Sequence, residues 1–465
     1  MERPGGLSLI RLFVVPVLVG LMTGGVLTTT SSPVPDRLIA HVVNSRDDSV
    51  GPNPLALDWL DQAGTELAGA GATAKAAFGG AAALSANGTT AIVGAPDDGG
   101  GVGAAWVFTR SGSEWTAQGT KLNGSGELGH GGFGAAVALS ANGNTALIGG
   151  DGVNDSLFGG SAWVFTRSGT SWTQQGPKLT VDGAQGFGSA VALSANGNTA
   201  LIGEQDYGDS GEFSGPGAAW VFTRSGSMWT AQSGRLIPPE GGSVVPSGGG
   251  PGGFGSAVAL SADGNTALIG SPALGYEGST SSRAGGAWVF TRSGLKWTRQ
   301  VGFLYGSGAV MNPSSGDLQP FFGDAVALSA DGNTALVGGD GDNSGVGAAW
   351  VFTRTGSKWI QQGSKLVGRG ESGDGGFGVA VAVSADGNIA VIGGSGDRQG
   401  TGAAWIFTRS HSQWTQRSMK LRFGGESGKA AAGTAVAVSS GGTALIGAPA
   451  DHAGRGSAWA FSTAG

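Results

Sequence analysis

The segment Phe254-Gly-Ser-Ala-Val-Ala-Leu-Ser-Ala-Asp-Gly-Asn-Thr-Ala-Leu-Ile-Gly270, followed after a loop by Ala287-Trp-Val-Phe-Thr-Arg-Ser-Gly-Leu-Lys-Trp297, is one copy of a pattern that fills most of this chain. The first tryptophans of the successive copies are Trp106, Trp163, Trp220, Trp288, Trp350, Trp405 and Trp459. A strand-rich repeat of this length indicates one toroidal or stacked architecture rather than several independent domains.

The composition excludes several functional classes. Of the 465 residues, 94 are glycine, yet 40% are hydrophobic and regularly spaced, which is not typical of a disordered chain. The net charge is −6 and no basic run occurs outside the repeated Thr-Arg, so no nucleic-acid partner is expected. There is no cysteine, which excludes disulfides and thiolate chemistry. The four histidines lack metal-ligand spacing, so no metal site is predicted; they are His41, His130, His411 and His452.

The N-terminus has the order of a targeting segment. Arg3 and Arg11 precede an apolar run over residues 12–27, and a Thr/Ser-rich stretch follows. Residues 1–32 are therefore interpreted as a secretory signal peptide or an uncleaved membrane anchor, and 33–54 as a polar linker. Either alternative predicts a secreted or cell-surface protein, in contact with a membrane only through such an anchor.

The repeats predict four strands each. In the quoted copy, strand A is 256–261, strand B is 266–270, strand C is 287–291 and strand D begins at Trp297. The Ala-Asp-Gly-Asn between A and B predicts a type I′ hairpin turn with positive φ at both central residues. Residue size increases from strand A to strands C and D, as a wedge-shaped blade requires. The predicted fold is an all-β, seven-bladed β-propeller of four-stranded antiparallel blades over residues 55–465, most simply a monomer.

The last copy ends at Phe461 without a second tryptophan, whereas Trp59-Leu-Asp-Gln-Ala-Gly-Thr-Glu-Leu67 resembles the end of a repeat. The N-terminal segment is therefore expected to complete the last blade and to close the ring.

Loop lengths vary on one face only. The spacing between first tryptophans ranges from 54 (Trp405 to Trp459) to 68 (Trp220 to Trp288), and the variation falls in the B–C and D–A loops. These loops share one face of an up-and-down blade, and such a face is often the binding face of a repeat protein.

The Phe-Gly at the head of strand A and the Gly-Ala-Pro after strand B (Gly94–Pro96, Gly447–Pro449) resemble FG-GAP repeats, the units of the integrin α-chain propeller and of many bacterial surface proteins. The resemblance implies extracellular recognition or adhesion, in some members with calcium in the A–B loops. Here the A–B turn Ser261–Thr266 offers one carboxylate at most, too few for a cation that needs six to eight oxygen ligands. No calcium site and no other cofactor is therefore predicted.

Most of the conspicuous side chains are interpreted as structural. The fourteen tryptophans are expected to pack at the blade rim rather than to stack on carbohydrate, and each repeated arginine to lie on the neighbouring tryptophan ring. The acidic segments Asp340–Ser344 and Asp151–Asp155 are interpreted as solvated turns, because neither has the terminal glutamate of a calcium loop.

One loop group carries the binding hypothesis. All three tyrosines of the chain lie in long loops of blades 3 to 5, with acidic and basic neighbours, and tyrosine with Gly and Ser is typical of recognition surfaces. The predicted ligand-binding residues are Tyr207, Tyr276, Tyr305, Asp206, Glu277 and Arg283. The chain is predicted to be a non-enzymatic module that binds an extracellular protein or glycan. The alternatives are a propeller enzyme acting on polysaccharide, which would need paired carboxylates in a shared pocket, and a purely structural surface protein.

Overall fold

Seven four-stranded antiparallel sheets form the fold of the part of the chain that the structure, a computed structural model, describes. This part comprises residues 64–462 apart from 128, 153–158, 206–216, 233, 239–252, 274–284, 301, 311–319, 418–419, 422 and 424–427. Each first strand contacts the first strands of the neighbouring sheets, and the series closes on itself. This confirms the predicted seven-bladed β-propeller.

The strands of the first half of the ring are β1 (Thr65–Leu67), β2 (Ala81–Leu84), β3 (Thr90–Ala95), β4 (Ala104–Ser111), β5 (Glu114–Ala117), β6 (Ala136–Leu139), β7 (Thr145–Gly150), β8 (Ser161–Ser168), β9 (Ser171–Gln174), β10 (Phe187–Leu193), β11 (Thr199–Glu204), β12 (Ala218–Ser225) and β13 (Met228–Ala231). Those of the second half are β14 (Val258–Leu260), β15 (Thr266–Ser271), β16 (Gly286–Ser293), β17 (Lys296–Arg299), β18 (Ala325–Leu328), β19 (Thr334–Gly339), β20 (Ala348–Thr355), β21 (Lys358–Gln361), β22 (Ala380–Val383), β23 (Ile389–Gly394), β24 (Ala403–Ser410), β25 (Gln413–Gln416), β26 (Ala435–Val438), β27 (Ala444–Ala448) and β28 (Ser457–Phe461). Blades 1 to 6 take four consecutive strands each from β2 onward.

The seventh blade joins the two ends of the described chain. It has the strand order β1-β28-β27-β26, and Leu67 pairs with Ala458 of β28. Leu122 pairs with Ala105 in the same way in blade 1, so Leu67 occupies the place that the sequence predicted for the missing strand. The ring closure is thereby confirmed over residues 65–67, while Trp59 lies outside the described residues.

Burial separates the four strands of a blade. Strands B and C are buried throughout their apolar parts, whereas the A strands are half-buried and the D strands alternate between exposed and half-buried residues. Strands B and C are therefore covered on both faces, whereas strand A lines the axis and strand D lies at the rim.

The Phe-Gly pair joins neighbouring blades. Phe254 is fully buried against Trp288 and Phe290 of its own blade, with ring centroids 5.7 and 6.3 Å apart. Gly255 has φ +93°, and a Cβ at this residue would lie 2.2 Å from the Ala218 carbonyl oxygen of blade 3. The phenylalanine therefore fills the core between blades 3 and 4, and the glycine lets the backbones of these two blades come into direct contact.

The A–B turns differ from the predicted type I′ geometry. Ser261 and Thr266 close a four-residue loop, with the Ser261 N–H 2.9 Å from the Thr266 oxygen, and only Gly264 has a positive φ (+70°). The Asp263 carboxylate accepts hydrogen bonds from the Ser261 hydroxyl and from the Asn265 N–H, at 2.6 and 2.9 Å. The type I′ prediction was wrong because these side-chain hydrogen bonds stabilise a longer, Asx-type turn.

The same turns are tied to one another around the axis. The Ala262 N–H donates to the Ala330 oxygen of the next blade at 2.9 Å, and Ala330 donates in turn to Ala385. Six such backbone hydrogen bonds link successive A–B turns, including one from Ser440 of the last blade to Ala86 of the first. This face is therefore a uniform ring with little room for individual loops.

The repeated arginines and second tryptophans form an interblade network. The Arg292 guanidinium carbon lies 5.4 Å from the centroid of the Trp297 ring, and five other blades repeat the contact. The Trp297 indole N–H donates to Gln232 of the preceding blade at 2.9 Å. The predicted cation–π packing is confirmed, and the first tryptophans are almost fully buried in all blades except the third.

Candidate functional site

The B–C and D–A loops form the face opposite the tied turns, which we call the variable face. Four of its B–C loops contain short segments that start with an aspartate: α1 (Asp98–Gly101), α2 (Asp342–Gly345), α3 (Asp397–Gly400) and α4 (Asp451–Gly454). Their second and third residues have positive φ, so these segments are left-handed turns rather than regular helices. They share the pattern Asp-x-x-Gly-x-Gly, a signal that sequence reasoning overlooked.

In three of these turns a buried aspartate pairs with a lysine of the same blade. This lysine lies after strand D, immediately before the leucine that pairs with strand C. Lys121 Nζ lies 2.5 Å from Asp98 Oδ2, and Lys420 Nζ lies 2.5 Å from Asp397 Oδ2. The third pair is Lys365 with Asp342. Burial alone would raise the pKa of Asp98, but hydrogen bonds from Lys121 and Thr73 hold it below its usual value.

The second oxygen of each buried aspartate binds the D–A loop that leads into the blade. Asp342 Oδ1 accepts the Val310 N–H at 2.6 Å, and Asp397 Oδ1 accepts the Ser372 N–H at 2.8 Å. The interpretation of 340–344 as a solvated turn was therefore wrong for Asp342, which is fully buried. Each aspartate fastens a B–C loop, a D–A loop and the end of strand D to one another.

The closing blade departs from this arrangement. Its aspartate, Asp451, is also fully buried, but the residue that corresponds to Lys121 is Glu66 of β1. His452 Nδ1 lies 3.3 Å from Asp451 Oδ2 and 3.9 Å from Glu66 Oε1. Within the described ranges, these three residues are the one group of His and acidic side chains with ligand atoms all within 4.8 Å. We call them the closing-blade cluster; sequence reasoning missed it because Glu66 and Asp451 lie at opposite ends of the chain.

A second group of acids lies on the variable face at blades 5 and 6. Asp324 immediately precedes β18 and Asp340 immediately follows its partner strand β19, so the two acids lie at the same end of this strand pair. Burial and the neighbouring Asp340 raise the pKa of Asp324 to about 7. Burial also raises the pKa of Asp340, against hydrogen bonds from backbone N–H groups. The two carboxyl groups are thus a coupled, partly desolvated pair.

Glu371, in the D–A loop between blades 5 and 6, is a third acid with a raised pKa. Burial, together with the nearby Asp397 carboxylate, raises its pKa to about 7. A hydrogen bond from the Gly375 N–H at 3.1 Å acts in the opposite direction and lowers it. Raised carboxyl pKa values are common at sites of proton transfer and also in structural networks.

Tyr305 is the one predicted ligand-binding residue within the described part of the chain. This residue is 59% exposed, and its ring centroid lies 6.2 Å from that of Phe303. Phe303 itself stacks on Trp288 at 5.2 Å, in the place that Lys121 occupies over Trp106 in blade 1. The other predicted ligand-binding residues, Asp206, Tyr207, Tyr276, Glu277 and Arg283, lie outside the described residues, so their grouping with Tyr305 remains a prediction.

A cavity of about 300 Å³ lies between the outer strands of blades 4 and 5. Phe303, Lys358 and Trp359 line it, together with Gln300, whose side-chain oxygen accepts the Trp359 indole N–H at 2.8 Å. Because Phe303 also contacts Tyr305, this cavity and the exposed tyrosine are joined by one aromatic side chain.

Comparisons with known proteins show a structural similarity to other proteins but assign no activity to this chain. No family model matches the sequence, and no curated protein matches it. Among solved structures, hydrazine synthase from Kuenenia stuttgartiensis is 13% identical (TM-score 0.48, 83% of this chain and 96% of that one). A putative 6-phosphogluconolactonase from Bacteroides fragilis is 11% identical (0.48, 74% and 84%), and a periplasmic gluconolactonase from Pseudomonas aeruginosa is 15% identical (0.45, 73% and 84%). Similarities of this size carry no argument about function.

No helix among the described residues is long and apolar enough to cross a membrane. The predicted signal or anchor at 1–32 lies outside them.

Proposed function

We propose that this protein is a secreted or cell-surface recognition module that binds an extracellular protein or glycan through the variable face. The observation that carries the proposal is the contrast between the two faces. Hydrogen bonds tie the A–B turns into a uniform ring, whereas the variable face carries the length variation and the exposed Tyr305. Individual loops on a rigid scaffold are where repeat proteins commonly bind their partners.

The surroundings of Tyr305 support a binding role. An exposed tyrosine next to a stacked phenylalanine offers a rigid, amphipathic contact at low conformational cost. The adjacent cavity adds the Trp359 ring and the Lys358 ammonium, a combination that suits a sugar ring or an aromatic side chain with an acidic group.

The finer proposal is that the chain is a bacterial FG-GAP-type propeller. It is supported by the packing of Phe254-Gly255 between blades and by the Gly-Ala-Pro segments of blades 1 and 7. Members of that family act outside the cell, in agreement with the predicted signal or anchor. No calcium is proposed in the A–B turns, because Asp263 is occupied by the Ser261 and Asn265 hydrogen bonds.

The test is a glycan and extracellular-protein array probed with residues 55–465, with and without Ca²⁺. We expect a partner whose binding is lost when the B–C and D–A loops of blades 3 to 5 are replaced by the short loops of blade 6. Binding that survives this replacement, or absence of binding in both conditions, would count against the proposal and favour a purely structural surface protein.

A matched pair of point variants sharpens the test. Tyr305 and Val367 follow the last leucine of their blades at equivalent positions, and both are exposed, by 59% and 46%. Tyr305→Ala is expected to weaken binding at least about 10-fold, as loss of an aromatic anchor does, while Val367→Ala leaves it within about 2-fold. Equal effects would show that Tyr305 has no special role.

A second candidate function rests on Asp324 and Asp340. A propeller enzyme acting on polysaccharide needs a carboxyl group that stays protonated near neutral pH beside a second carboxyl group. Asp324, whose pKa is raised to about 7 by burial and by Asp340, suits the first role. Screening of soluble polysaccharides for hydrolysis, with Asp324→Asn as the comparison, tests this alternative. Hydrolysis that disappears in the variant would favour the enzyme, and hydrolysis that persists unchanged would exclude this pair.

A further inference from the structure

The closing-blade cluster occupies a position where three other blades hold a cation. In blades 1, 5 and 6 a lysine ammonium lies within 2.5 Å of the buried aspartate of the B–C turn. The aspartate is retained in blade 7 as Asp451 and is again fully buried. The residue in the lysine position there is Glu66, so the cation is replaced by a second carboxylate, and His452 is added from the left-handed turn.

The atoms of the cluster lie at separations that one metal ion can bridge. The distances from His452 Nδ1 to Asp451 Oδ2 and Glu66 Oε1 are 3.3 and 3.9 Å, and all three ligand atoms lie within 4.8 Å of one another. Two ligands held about 2.1 Å from one ion at a tetrahedral angle lie roughly 3.4 Å apart. A small shift of the half-exposed Glu66 and His452 side chains would bring all three atoms onto one ion.

Hydrogen bonds from neighbouring groups hold the Asp451 carboxylate in place. The Ser457 hydroxyl donates to Asp451 Oδ2 at 2.8 Å, and the His452 N–H donates to Oδ1 at 2.8 Å. Ser457 Oγ in turn accepts the Trp459 indole N–H at 3.0 Å. Outer hydrogen bonds of this kind orient carboxylate ligands in metal sites.

We propose that Glu66, Asp451 and His452 bind one divalent transition-metal ion of the zinc or manganese type, which takes the place of the lysine ammonium of the other blades. One imidazole nitrogen with two carboxylates is a donor set for such ions, whereas calcium needs more oxygen ligands. Glu66 lies on β1, and the other two ligands precede β28, so the ion joins the two strands that close the ring. Glu66 and His452 are 37% and 44% exposed, so water can reach the site and supply further ligands.

The test uses the purified protein after treatment with EDTA and removal of the chelator. Equilibrium dialysis against Zn²⁺, Mn²⁺ or Ca²⁺ alone measures stoichiometry, and thermal unfolding measures the linked stabilisation. We expect one Zn²⁺ or Mn²⁺ per chain, a higher Tm in its presence and little effect of Ca²⁺. His452→Ala should weaken binding by more than the roughly 10–100-fold that outer-shell changes cost.

Glu66→Lys is the decisive variant, because it restores the arrangement of blades 1, 5 and 6. Its lysine is expected to pair with Asp451, so the metal-free variant should have a higher Tm than the metal-free wild type and show no response to Zn²⁺ or Mn²⁺. His411→Gly, in a C–D turn where the other blades have glycine, is the matched histidine control and should bind like the wild type.

Two results would overturn the proposal. One is absence of stoichiometric binding and of any metal-dependent Tm change, which would show that the cluster holds no metal ion. The other is a Glu66→Lys variant that binds the ion as tightly as the wild type, which would place the ion elsewhere in the chain.

Discussion

Asp324→Asn is expected to make the protein more stable at neutral pH and to leave its stability at acidic pH almost unchanged. The carboxyl group of Asp324 has a pKa of about 7 in the folded protein, because it is buried and lies close to Asp340, against 3.8 as the ordinary value. The folded state therefore holds the proton more tightly than the unfolded chain. Asparagine resembles the protonated acid and has no charge to desolvate.

The sign and size of the effect follow from proton linkage. Below about pH 4 the acid is neutral in both states and costs nothing; above about pH 7 it is ionised in both, and the folded state bears the full cost of the buried charge. Between these values the free energy of unfolding falls by roughly 1.4 kcal/mol per pH unit. The total is at most ~4 kcal/mol, since solvent still reaches part of this largely buried side chain.

The assay is urea unfolding followed by tryptophan fluorescence at about pH 4.5, 5.5, 6.5 and 7.5, for the wild type and for Asp324→Asn. The difference between their free energies of unfolding should grow with pH in favour of the variant. Two curves that stay parallel over this range would refute the account of Asp324. Because the acid is coupled to Asp340, Asp340→Asn should also lower the apparent pKa of the remaining group.

Asp331 is the matched control in the same blade. Burial would raise its pKa, but hydrogen bonds from the Ser329 hydroxyl and from Asn333 lower it below 3.8. Asp331→Asn should therefore show the opposite sign: the wild type loses stability relative to the variant as the pH falls below about 4. Blades 1 to 3 have asparagine at the equivalent position, so the substitution fits the turn.

Lys365→Met leaves the buried Asp342 carboxylate without its ammonium and should lower the free energy of unfolding by ~3–5 kcal/mol; a loss below ~1 kcal/mol in urea unfolding contradicts the pairing. Gly134→Ala places Cβ 2.4 Å from the Ala104 oxygen, so soluble yield should fall sharply, whereas Gly169→Ala, with nothing within 4 Å, should cost only ~1 kcal/mol. Deleting residues 1–67 exposes the edge of β28 and should produce oligomers on size-exclusion chromatography; a monomer of unchanged stability would contradict the closure.

The fold could be predicted from the sequence because each blade repeats the same local signals. The Ala-Trp-Val-Phe segment predicts a buried strand by itself, and the second tryptophans predict the strand that Leu67 supplies to the last blade. The turn geometry was harder to predict. Asn-Gly and Asp-Gly favour type I′ turns on average, but the Ser261 hydroxyl, five residues before Thr266, shifts the balance to a longer loop.

The candidate site could be predicted only in part. Asp342 and Lys365 are 23 residues apart in sequence, and nothing local to either indicates that they meet in a buried pair. The closing-blade cluster is harder still, because Glu66 and His452 come together only through ring closure. Alignment of the blades with one another could have revealed both the lysine–aspartate pairs and the cluster. The pattern Asp-x-x-Gly-x-Gly recurs in four blades, and the position that is lysine in three of them is Glu66 in the last.

The closing strand has a consequence for the order of folding. Blades 1 to 6 are each completed by neighbouring segments, but β1 must pair with a strand roughly 400 residues away, at a loop-closure cost of ~5 kcal/mol by a flexible-chain estimate. That pairing cannot form until Phe461 has been synthesised. A growing chain therefore carries β1 without its partner strand until β28 has been made, and the pairing of these two strands closes the ring. An ion held between Glu66 and Asp451 would act on that step alone, and would slow the reopening of the ring more than the unfolding of any one blade.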